Sequence, residues 1–138
     1  MSTKLTLEVR NKHDAIAPAT EAAEAWLEET GANPKAVYFV LLAMEELVTN
    51  SIKYAYDDEG EHTIGVELEV EGPMLTMRVI DDGHEFNPLD APAPDLELDV
   101  HERPVGGLGI HLLREMADEA VYERREGMNR LTLKKRIG

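Results

Sequence analysis

Three residues on one short stretch carry the chemistry most easily imagined for this chain. In the run Glu45-Glu46-Leu47-Val48-Thr49-Asn50-Ser51-Ile52-Lys53-Tyr54, the side chains of Glu46, Asn50 and Lys53 recur at i, i+4 and i+7. At ~100° per residue they fall on one side of a helix. A carboxylate can orient or deprotonate a hydroxyl nucleophile. One turn away, about 6 Å at ~1.5 Å per residue, an amide oxygen suits Mg²⁺, which prefers oxygen ligands. Lys53 can face phosphate or simply solvent. The same stripe also fits a solvated back face, where such pairs add ~0.2–0.5 kcal/mol each.

Two further motifs carry chemistry. Asp81-Asp82-Gly83 ends an alternating run; a carboxylate there can accept from an exocyclic amine, and glycine permits close approach of a flat ring. The same tripeptide also serves as an ordinary turn. Gly106-Gly107-Leu108-Gly109 opens a short helical run, where bare backbone N–H groups and the helix dipole favour phosphate. It is neither a dinucleotide fingerprint, since a Pro-rich loop precedes it, nor a P-loop, since no Gly-Lys-Ser/Thr follows.

These motifs need elements to hold them. Asn33-Pro34 reads as cap and first residue of a long helix to Tyr56. Val37, Val40, Leu41, Met44, Leu47, Val48, Ile52 and Ala55 form its apolar side. Before it, Lys4–Val9 alternates as a strand, and Ile16–Glu29 reads as a helix closed by Gly31, with Ala22, Ala23, Trp26 and Leu27 facing inward. After it, His62–Val70 and Met74–Ile80 form a hairpin about Gly72-Pro73. Residues 84–105, with four prolines and no periodicity, suit a lid or binding loop, or a disordered segment. Ile110–Met116 is a short helix, and Val121–Arg124 and Arg130–Lys135 are closing strands around a turn at Gly127-Met128-Asn129. The expected architecture is α+β, a two-layer α/β sandwich with helices on one face of a mostly antiparallel sheet, in one domain spanning 1–138.

Composition narrows the classes. There is no Cys, so no disulfide or thiolate site, as suits a reducing compartment. No apolar run approaches the ~18 residues of a membrane helix, and no signal-peptide core is present, so the chain is expected to be cytoplasmic, with no membrane contact. A net charge of −14 disfavours nucleic acid. The six basic residues after Tyr122 suit solvated positions on a strand. His13, His62, His84, His101 and His111 share no metal-ligand spacing.

Together, Glu-Glu-Leu-Val-Thr-Asn-Ser-Ile-Lys-Tyr-Ala-Tyr, Asp-Asp-Gly-His-Glu-Phe-Asn-Pro and Gly-Gly-Leu-Gly-Ile resemble the N, G1 and G2 boxes of the GHKL ATPase superfamily. The likeness is to its anti-sigma factor branch, the serine-protein kinases of bacterial partner-switching systems. The resemblance implies a Bergerat ATP-binding fold with an ATP lid at about 84–108, and ATP and Mg²⁺ as cofactors. It implies that Glu46 is the catalytic base and Asn50 the Mg²⁺ ligand. Asp81 would accept from adenine, with Gly83 and Phe86 near the base. Lys53, Gly106, Gly107, Leu108 and Gly109 would lie by the phosphates, and Thr132 would assist the base. Glu85 stands where many histidine kinases have glycine, and Asn87 where the branch more often has Asp. No dimerisation helix with a phospho-accepting His is present. The implied activity is serine/threonine-protein kinase action on a STAS-domain anti-sigma antagonist, with a sigma factor or other effector as second partner, in a homodimer. The alternatives are a nucleotide-gated protein-binding module without catalysis, and an α+β interaction domain without ligand.

Overall fold

The computed structural model describes residues 2–56, 60–90 and 107–137. Gly106 and residues 91–105 of the expected lid lie outside them, as does the side chain of Leu108.

The first strand, β1 (Ser2–Arg10), leads through a 3-10 turn into α1 (Ile16–Thr30). Gly31 ends α1 with φ +76°, the left-handed conformation that glycine adopts without a Cβ penalty. Ala23 and Leu27, one turn apart, are fully buried, and Trp26 packs beside the core. Ala22, expected inward, is exposed, because one residue of helix rotates the side chain ~100° off the Ala23–Leu27 line. Asn33 caps the next helix as read, its side chain accepting from the Ala36 N–H at 2.8 Å, with Pro34 in the first turn.

The long helix is not one α-helix. α2 (Pro34–Ala43) passes into a π-helical turn (Met44–Val48), and α3 (Thr49–Tyr54) resumes the α geometry. The extra residue per turn advances the phase without ending the apolar face, so Met44, Leu47 and Val48 remain buried. Hydrophobic periodicity alone therefore reads straight through it. Such turns are rare and concentrate at functional sites, and Glu46 lies inside this one.

Strands β2 (Thr63–Glu71) and β3 (Met74–Asp81) form the expected hairpin. α4 (Gly107–Met116) starts three residues before the expected Ile110, so Gly107 and Gly109 belong to its first turn. β4 (Glu119–Arg125) and β5 (Met128–Arg136) close the sheet. Arg125 pairs with Met128, leaving a two-residue loop, Glu126 (φ +53°) and Gly127 (φ +76°). Two left-handed residues match the strand twist. Met128 and Asn129, expected in that turn, therefore belong to β5.

The sheet order is β1-β2-β3-β5-β4, antiparallel throughout. Its inner face presents Val9, Ile64, Val66, Leu68, Leu75, Met77, Leu131 and Leu133 to Leu27, Phe39, Val40, Met44, Val48 and Leu113 of the helical layer. The architecture is the expected α+β sandwich. At ~1.5–3 kcal/mol per buried large side chain, this shared core fixes where the π turn, the end of β3 and the start of α4 sit. No helix among the described residues is long and apolar enough to cross a membrane.

Candidate functional site

The end of β3 and the start of β5 are register partners, with Asp81 opposite Asn129. Asp81 is 5% exposed and surrounded by donors. Its Oδ1 accepts from Asn129 Nδ2 at 2.8 Å and from the Gly83 N–H at 3.0 Å, while Oδ2 accepts from Ser51 Oγ at 3.0 Å. A carboxylate has about four lone-pair sites, so three are filled and one remains, on Oδ2. Ser51 comes from α3 and is buried, which ties the helix carrying Glu46 and Asn50 to the end of β3.

Beside this carboxylate runs a narrow cleft lined by Leu47, Ser51, Val79, Asp81, Phe86, Pro88, Tyr122, Asn129 and Leu131. Its walls are mostly apolar, with Asp81 as the acidic group. Phe86 packs edge-tilted on Tyr54, ring centroids 5.5 Å apart. Burial raises the pKa of the Tyr122 hydroxyl, which donates to Asn129 Oδ1.

Gly83 owes its glycine to packing. A Cβ there would overlap the backbone carbonyl of Ala55 just after α3, and the neighbouring His84 N–H donates to that carbonyl at 2.8 Å. Close backbone approach is required, as expected, but the surface approached is the end of α3.

Glu46 and the glycine segment also meet. A Cβ at Gly109 would overlap the Glu46 carboxyl group, so the glycine lets α4 seat on the π turn with that carboxyl in place. Among the described residues Glu46 makes no hydrogen bond. Desolvation, reinforced by the neighbouring Glu45 carboxylate and opposed by Lys53, raises its pKa. Asn50 is half-buried one turn on, and Lys53 is exposed. The buried Thr49 Oγ1 likewise has no hydrogen-bond partner among the described residues.

Neither Asn50 nor Lys53 lines the cleft, and Thr132 lies elsewhere. Thr132 pairs with Arg78 and Val121 and lines a groove with Arg130 and Lys134. It lies on the opposite face of β5 from Asn129, Leu131 and Leu133, because successive strand residues alternate faces. The residue of β5 that reaches Asp81 is Asn129, three positions earlier. Its assignment to a turn hid it. Ser51 was visible only as a weak helix former, although a small polar residue on a helix otherwise facing the core is itself a signal.

The oxygen donors suit a hard cation. Glu46 and Asn50 offer oxygen atoms at adjoining turns, and the cleft pairs apolar walls with one vacant acceptor position.

Residues 9–135 match the profile of the histidine kinase-like ATPase domain. The chain is 26% identical over 133 residues to the serine-protein kinase RsbW of Listeria monocytogenes, covering 94% of this chain and 85% of that protein. It is 26% identical over 121 residues to the serine/threonine-protein kinase BtrW of Bordetella bronchiseptica, covering 83% and 85%. Against the anti-sigma F factor of Clostridium novyi it is 26% identical over 142 residues, covering 97% and 94%. Among solved structures it is similar to the RsbU and RsbW domains of Rv1364c from Mycobacterium tuberculosis, with a TM-score of 0.69 at 20% identity. That match covers 98% of this chain and 32% of the other, and the likeness is one of fold. With the profile spanning nearly the whole sequence and the same sandwich in the structure, the chain belongs to the histidine kinase-like ATPase domain family.

Proposed function

We propose that this protein is an ATP-dependent serine/threonine-protein kinase that acts as a partner-switching regulator or anti-sigma factor. It phosphorylates a STAS-domain anti-sigma antagonist and exchanges that partner for a sigma factor or another effector. It works in the cytoplasm as a homodimer, without direct contact to nucleic acid or membrane. The names of the relatives support the reaction class.

The observation that carries the reading is the convergence on one helical run: Glu46 meets Gly109 of α4 while Ser51 bonds Asp81 of β3. In this reading Asp81 uses its vacant lone pair to accept from the exocyclic amine of adenine, and Phe86 and Leu131 wall the ring. Gly107, Gly109 and Lys53 face the phosphates, with Gly106 and Leu108 as their neighbours in sequence. Asn50 holds Mg²⁺, which neutralises phosphate charge when bound. The raised proton affinity of Glu46 suits it to take the proton of an attacking serine or threonine hydroxyl. Residues 84–108 act as the lid, and the whole of 1–138 as one ATP-binding domain.

The test is label transfer from radioactive ATP to a STAS-domain antagonist. The expected result is phosphorylation by the unaltered protein and loss of transfer in Glu46→Gln with nucleotide binding retained. Equal transfer by Glu46→Gln would remove Glu46 from its role. A second reading, nucleotide-gated partner binding without transfer, is favoured by the direct seat of α4 on the Glu46 carboxyl. Nucleotide-dependent partner binding with no phosphorylated product would select it.

A further inference from the structure

We propose that Asn129 is the positioning residue that sets the preference of the cleft for adenine over guanine. The inference rests on the reading that this cleft takes a purine nucleotide.

Asn129 is 5% exposed, and its amide is fully used. One N–H donates to Asp81 Oδ1 at 2.8 Å, the other to the His84 carbonyl at 2.7 Å. Its Oδ1 accepts from the Phe86 N–H at 3.2 Å, from Arg124 Nη1 at 3.1 Å and from the Tyr122 hydroxyl. Two donors and an oxygen receiving three leave nothing to offer a ligand. The alternative amide orientation would set oxygen against oxygen at Asp81 and His84, so the orientation is determined by its partners. Asn129 therefore acts through Asp81.

The consequence concerns which way hydrogen bonds point. With Asn129, Gly83 and Ser51 all donating, Asp81 is held as an acceptor with one position to spare. An exocyclic amine fits that position. The carbonyl that guanine carries at the same place meets an acceptor with an acceptor, and a site built to receive an N–H rejects an analogue lacking it. The same amide anchors the segment leaving β3 through Phe86 and His84, with Arg124 bridging Gly83 O at 2.7 Å and Asn129. One side chain thus fixes both the acceptor and the wall carrying Phe86.

Binding of Mg-ADP and Mg-GDP by calorimetry tests this. The unaltered protein should prefer ADP. Asn129→Leu, similar in shape and without donors, should lower the ADP/GDP affinity ratio about ten-fold or more, the scale of one lost hydrogen bond to a charged group. Should that variant not fold, Asn129→Asp decides. It keeps the oxygen that Phe86, Tyr122 and Arg124 approach, but sets a carboxylate against Asp81. The groups facing that pair are Arg124 and Tyr122 from β4 and Ser51 from α3. Arg124 favours ionisation of the new carboxylate, so the shared proton falls on Asp81 Oδ1, between the two groups, and leaves Oδ2 an uncharged, weaker acceptor for the amine. The ratio should again collapse. A folded variant in which both nucleotides weaken in proportion, leaving the ratio within two-fold, would overturn the proposal and reduce Asn129 to a structural part. An unaltered protein that binds no purine nucleotide sinks the reading of the cleft itself, and the proposal with it.

Discussion

The two ends of the site are built differently. Around Asp81 the polar groups interlock: Ser51, Gly83 and Asn129 bond the carboxylate, and Asn129 in turn bonds Phe86, His84, Tyr122 and Arg124. Around Glu46 the described residues make contact without hydrogen bonding. Its carboxyl lies against Gly109, makes no hydrogen bond among the described residues and has a raised pKa. A satisfied network rigidifies a site. A partly desolvated carboxyl without a hydrogen bond among the described residues is left with raised proton affinity. The first end is suited to recognising a ligand and the second to acting on it.

Substituting the two glycines should expose this contrast most strongly. Gly83→Ala drives a Cβ into the Ala55 backbone, which cannot swing aside, and should cost about 3 kcal/mol of stability, measured by denaturant unfolding. Gly109→Ala meets only the far end of the flexible Glu46 side chain. It should cost under ~1 kcal/mol of stability yet, on the proposed kinase function, slow phosphoryl transfer about a hundred-fold by displacing that carboxyl. Equal stability losses at the two positions would erase the distinction between the ends.

A smaller effect is expected at the tie between α3 and β3. Ser51→Ala strips one donor from buried Asp81 and should cost about 1–2 kcal/mol. Unchanged stability would mean that the Ser51–Asp81 bond contributes nothing to holding α3 on β3.

The smallest effect concerns pH. The Glu46 pKa is raised above its ordinary 4.5 in the folded chain, so folding favours its protonated form. Its ionisation therefore withdraws stability as pH rises through the raised value. Glu46→Gln mimics the protonated form. Its stability, followed by Tm across pH, should match that of the unaltered protein below pH 4.5 and exceed it at neutral pH, by less than ~1 kcal/mol because the group is partly solvated. A Tm advantage that grows towards acid pH would reverse the sign and refute the desolvation account.

Much of this contrast was legible in the sequence, and unevenly. Glu46 and Asn50 announced themselves as polar residues on an apolar helix. Asn33, Pro34 and Gly31 marked helix ends because capping is local chemistry. The network at Asp81 was not local. Asn129 follows Gly127 and reads as turn, and only the pairing of Arg125 with Met128 puts it in β5 opposite Asp81. Strand parity depends on where the strand begins, and it puts Thr132 on the opposite face of β5 from Asn129. The π turn at Glu46 escaped because one extra residue leaves the coarse apolar pattern intact. The contact of Asn129 with Asp81 depends on register across 48 residues of sequence, which no local pattern carries.

The central claim is that both ends belong to one ligand. Titrating isotope-labelled protein with Mg-ADP and following backbone amides by NMR tests it directly. The account predicts that Gly83, Phe86 and Asn129 at one end, and Gly107 and Gly109 at the other, shift together along a single binding curve. Separate curves, or a response confined to one end or to the opposite face of the sheet around Thr132, would contradict it.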